Sequence, residues 1–61
     1  MNKQFARFME FQGKAITAAE TIGVTKARIS FIMKGNPVGP KIAKKIVDKY
    51  PSIDLYELLY G

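Results

Sequence analysis

From Lys26 to Asn36 the chain reads KARISFIMKGN, and the residue types in that stretch suit one kind of chemistry. Helical pitch turns Ala27, Ser30, Phe31 and Lys34 to one side, with Lys26 and Arg28 on the flanks. An arginine can fork onto guanine O6 and N7, a serine can bond any base edge, and alanine or phenylalanine can touch a thymine methyl. Lys14 before this segment, and Lys34, Gly35, Asn36 and Lys41 at its far end, flank the face as grips for a phosphate backbone. Such grips add salt-dependent affinity and read no sequence. Catalysis finds no comparable set. The chain has no Cys and no His, so an imidazole base, a thiol nucleophile and the usual metal ligands are missing. The five carboxylates (Glu10, Glu20, Asp48, Asp54 and Glu57) are scattered, and Ser30 and Ser52 lack a nucleophile-elbow context. No glycine-rich loop follows a strand, so nucleotide cradles are not expected either. The expectation is a protein that is not an enzyme and takes no metal, cofactor or small-molecule substrate.

A groove-reading face must be held at a fixed angle, and the residues around it supply a joint. Ala19 is small enough for close helix approach, Gly23 can take φ > 0, and Val24, Ile29 and Ile32 follow as apolar anchors. The first helix is expected over Asn2–Gln12, burying Phe5, Phe8 and Met9 with Phe11 at the edge, and Gly13 stops it. A second helix, Ala15–Ile22, buries Ile16, Ala19 and Ile22. Thr25 caps a third, Lys26–Lys34, whose buried stripe is Ile29, Ile32 and Met33, and Gly35 suits its C-terminal turn. Pro40 opens a fourth that buries Ile42, Ala43, Ile46, Val47 and Tyr50, and keeps Lys41, Lys44, Lys45 and Lys49 in water. Pro51 ends it. Asp54 and Glu57 then form an acidic capping box for a last helix, Leu55–Tyr60. The fold class is all-α, one domain over residues 1–61.

Composition agrees with that reading. Apolar residues make up 48% of the chain, which argues against disorder, and ten Lys/Arg against five Asp/Glu give a net charge of +5, the sign of a polyanion binder. No apolar run approaches the roughly 20 residues of a membrane span, and no signal-peptide core is present. A cytoplasmic protein without a membrane partner is the expectation.

From Gly13 to Gly35, and less tightly to Gly61, the chain resembles the phage Cro/CI-type helix-turn-helix domains, also called the XRE family. The resemblance rests on Ala19, Gly23-Val24-Thr25, Ile29-Ser30, Ile32 and Lys34-Gly35-Asn36. The segment Gly13-Lys14-Ala15-Ile16 is similar to the Cro branch, and Ile46 to Gly61 to the fifth-helix ending of all-helical phage repressors. It implies a compact five-helix, lambda-repressor-like fold with the helix-turn-helix at helices 2 and 3, its structural positions being Ala19, Gly23, Val24, Ile29 and Ile32. It further implies a repressor that binds a double-stranded operator, with base contacts from Lys26, Ala27, Arg28, Ser30 and Phe31. Backbone contacts fall on the start of helix 2 at Ala15, on Thr25, and on Lys34 to Asn36. Ala15 stands where the family often has glutamine, so only its backbone N–H can serve.

Phe31 stands where a polar or basic residue is common, and a large exposed aromatic calls for a contact partner. That partner is either a thymine methyl or another protein. The second case describes an anti-repressor that binds a cognate repressor through the outer face of helix 3. Tyr56, Leu59 and Tyr60 either pack onto helix 1 or form the two-fold seam of a homodimer. In a dimer the half-sites should lie about 10 bp, or ~34 Å, apart.

Overall fold

Thirteen buried residues, all of them apolar, organise a computed structural model that describes residues 1–61. Five helices surround them: α1 (Lys3–Gln12), α2 (Ala15–Ile22), α3 (Lys26–Met33), α4 (Pro40–Lys49) and α5 (Leu55–Tyr60). There is no strand. α1 contributes Phe5 and Phe8, α2 Ala18, Ala19 and Ile22, α3 Ile29 and Ile32, and α4 Ile42, Ala43 and Ile46. α2 packs chiefly on α3, α1 lies against α2 and α5, and α4 lies against α5 and α2. No helix is long and apolar enough to cross a membrane.

Side-chain caps mark where the helices begin. The Thr25 hydroxyl accepts the N–H of Arg28 at 3.1 Å and starts α3. Asn2 is the cap of α1 rather than its first residue: its Oδ1 accepts the N–H groups of Gln4 and Phe5 at 2.9 and 3.1 Å. The same amide donates from Nδ2 to the carbonyls of Glu57 and Leu58, at 2.9 and 3.1 Å. One side chain thus finishes the start of α1 and the end of α5. Asp54 accepts the Glu57 N–H at 2.9 Å, which is half of the expected capping box. The other half comes from elsewhere, because the Asp54 N–H donates to Gln4 Oε1 at 3.2 Å. Asn2→Ala removes a cap and two carbonyl partners together, and is expected to destabilise the fold by about 1–2 kcal/mol. Urea denaturation checks this; a loss under ~0.5 kcal/mol would show that the tie between α1 and α5 carries no weight.

Several expectations are corrected here. Ile16 is 53% exposed rather than buried. Two steps of three turn Ile16 about 120° round the helix from Ile22, which takes it off the buried side that Ala19 and Ile22 share. The buried side of α2 is instead Ala18, Ala19 and Ile22, with Ala15 packed beside them. Met33 is the last residue of α3 and is exposed, so the α3 stripe consists of Ile29 and Ile32 alone. Phe11, expected at the edge of the α1 face, stands there half in solvent, its ring stacked on Tyr50 at 5.0 Å between ring centroids. Four buried residues lie outside every expected stripe: Ala18, Val38, Ile53 and Leu58.

Candidate nucleic-acid interface

The joint between α2 and α3 sets where the outer face of α3 points. Gly23 sits there at φ 71, ψ 38, a left-handed conformation, and the N–H of Val24 reaches back to the Ala19 carbonyl at 2.9 Å. A methyl added at Gly23 would meet nothing within 4 Å, so the backbone angle and not lack of space demands glycine. Lys45 adds a support that its expected place in water did not foresee. Its Nζ donates to the Ile22 carbonyl at 3.4 Å, answering the negative end of α2.

On that support α3 presents Lys26, Ala27, Arg28, Phe31 and Lys34 as exposed residues, with Ser30 half-buried among them. All five base-contact candidates lie on this outward side. Phe31 is 44% exposed, and the Arg28 guanidinium carbon lies 5.4 Å from its ring centroid, within cation–π range. Arg28 Nη2 also approaches the α3–α4 connection, 3.6 Å from where a Cβ on Gly39 would stand. Sequence spacing held a signal for the first contact, since residues i and i+3 are neighbours on a helix. Nothing in the sequence pointed to the second.

The expected backbone-contact residues divide. Lys14, Lys34, Gly35 and Lys41 are exposed. Lys14 precedes α2 without capping it, which leaves the first N–H groups of that helix, at half-buried Ala15, without a side-chain partner. Such N–H groups suit an anion. Thr25 and Asn36 have work inside the fold. The Thr25 hydroxyl holds the Arg28 N–H, and Asn36 Nδ2 donates to the Phe31 carbonyl at 2.8 Å, closing the end of α3.

At the C-terminal helix, Tyr56 and Tyr60 are 69% and 74% exposed with ring centroids 4.9 Å apart, while Leu59 is half-buried against the core. Leu55, which sequence reasoning did not single out, adds a further exposed apolar side chain. A groove of about 380 Å³ runs between Asn2, the Gly35–Val38 connection and Leu58–Gly61. Sequence also gave no sign of a polar network in which Gln12 Nε2 donates to the Tyr50 hydroxyl at 2.6 Å, and the Thr21 hydroxyl donates to Gln12 Oε1 at 2.7 Å. It links α1, α2 and the end of α4. No group of three or more His, Cys, Asp or Glu side chains is placed to hold a metal ion.

No protein-family model, curated protein or solved structure matches the chain.

Proposed function

We propose that the protein is a sequence-specific DNA-binding transcriptional regulator of the Cro type, a phage or prophage repressor. In this reading α2 and α3 form a helix-turn-helix within a lambda-repressor-like domain, and α3 enters the major groove of an operator. The observation that carries the proposal is the outer side of α3. It combines a forkable arginine, a hydroxyl, an aromatic and two lysines, on a helix anchored from behind by Ile29 and Ile32. Lys14, Lys34 and Lys41 supply phosphate contacts, and the net charge of +5 steers approach. Ala27 and Phe31 meet thymine methyls, and Lys26, Arg28 and Ser30 meet polar base edges.

One copy measures 24 Å along its longest axis, shorter than the ~34 Å between half-sites one helical turn apart. Each copy therefore covers one half-site, and Tyr56, Leu59 and Tyr60 form the seam of the pair in this reading.

Selection of bound sequences from a random duplex library at about 150 mM salt, a strength at which surface charges are largely screened beyond ~8 Å, tests the proposal. Enrichment of a short palindrome supports it. Enrichment of nothing, over salt-sensitive background, refutes it. Lys34→Ala is expected to weaken binding to all duplexes alike and to flatten the salt slope by about one unit. A Lys34→Ala variant that changes the selected sequence would move Lys34 from the backbone to the base contacts.

The exposure of Phe31 favours a second reading, an anti-repressor that docks on a cognate repressor through the same face. Salt separates the two. DNA binding collapses as salt rises, whereas an apolar contact centred on Phe31 persists.

A further inference from the structure

A lone arginine on a helix surface swings through many conformers, and a bidentate contact to guanine requires its planar fork to be oriented. Arg28 has one partner for its guanidinium on the same helix, the Phe31 ring, whose centroid lies 5.4 Å from the guanidinium carbon. On the side of the α3–α4 connection a Cβ on Gly39 would stand 3.6 Å from Nη2, but Gly39 sits at φ +86, where a side chain would be strained, so that side is left clear of any side chain. Even with the arginine beside it, Phe31 keeps 44% of its surface open. The pair therefore offers a forked donor and an apolar ring side by side. Neighbouring base pairs lie about 3.4 Å apart along the duplex, so two groups 5.4 Å apart meet adjacent pairs rather than distant ones.

We infer that Arg28 and Phe31 act as one unit that reads a guanine with a thymine directly beside it. Arg28 forks onto guanine O6 and N7. Phe31 is the positioning residue that holds the guanidinium, and its open ring meets the thymine methyl. This inference rests on the operator-binding reading above and narrows it to one base step.

The test begins with the palindrome selected by the wild-type protein, which should contain thymine next to guanine in each half-site. Replacing that thymine by uracil removes only the methyl, and is expected to weaken binding about fourfold. Phe31→Leu keeps an apolar side chain but removes the ring, and should lower the preference for guanine over adenine roughly two- to fivefold. Phe31→Tyr restores the ring and should restore the preference. Thermal melts of both variants matching wild type would exclude a merely structural effect. If guanine preference depends on Arg28 yet survives Phe31→Leu, or if uracil binds as well as thymine, the paired unit is overturned while operator binding stands. If the wild type selects no sequence at all, operator binding falls and the unit with it.

Discussion

Phe8→Ala is expected to destabilise the fold by about 3–5 kcal/mol, a large share of its whole stability. Phe8 is fully buried, tilted against Phe5 and edge-on to Tyr50, with ring centroids 5.7 Å away in both cases. At 0.05–0.15 kcal/mol per residue, a chain of 61 residues has about 3–9 kcal/mol of stability in all. Removing this ring opens a cavity at the meeting of α1 with the end of α4 and takes most of that margin. Phe11 gives the contrast within the same helix. Its ring stacks on the same Tyr50 but is 52% exposed, so Phe11→Ala should cost only about 1 kcal/mol. Urea denaturation followed by helical circular dichroism measures both. Equal losses in the two variants would mean that the core is not organised around Phe8.

Arg28→Ala should act on recognition and leave the fold intact. The side chain is exposed, so the change in stability should stay within about 0.5 kcal/mol. Specific affinity should fall by about 1–3 kcal/mol, the range for a lost bidentate base contact, and the selected sequence should relax at one base pair per half-site. In the proposed operator-binding reading the phosphate contacts of Lys14, Lys34 and Lys41 remain, so background affinity for unrelated duplex should change little. The measurement is a pair of titrations, selected duplex and scrambled duplex, at several salt concentrations. An Arg28→Ala protein that keeps the wild-type ratio between the two would remove Arg28 from the reading face.

Helix order, and most of the helix ends, could be read from the chain because the signals are local. Thr25 makes the cap that its type suggests, Gly23 takes the left-handed turn, and Pro40 opens α4. The core was less legible wherever burial depends on distant chain. Val38 and Ile53 lie in connections, where no periodicity exists to mark an inward side, and Leu58 belongs to a helix of six residues, too short to define a stripe. Ile16 differs for the opposite reason: it belongs to a helical pattern, but two steps of three carry it about 120° round α2 from Ile22, off the buried side. At the candidate interface, the outward side of α3 followed from pitch alone. The second duty of Asn36, closing the end of α3, did not, because a polar side chain near a helix end suits a backbone carbonyl and a phosphate equally well. The Asn2 tie to Glu57 and Leu58 spans nearly the whole chain, and no local rule anticipates it.

A methyl group has no rotamers to lose. Three residues on the inner side of α2, Ala15, Ala18 and Ala19, carry only a methyl, so few side chains have to be frozen to fix that helix in place. Immobilising a rotamer-rich side chain during association costs about 0.5–1.5 kcal/mol. At the α2–α3 joint that ordering is complete when the chain folds. If α3 docks as proposed, the entropy of docking is therefore concentrated in the few long side chains on its outer side.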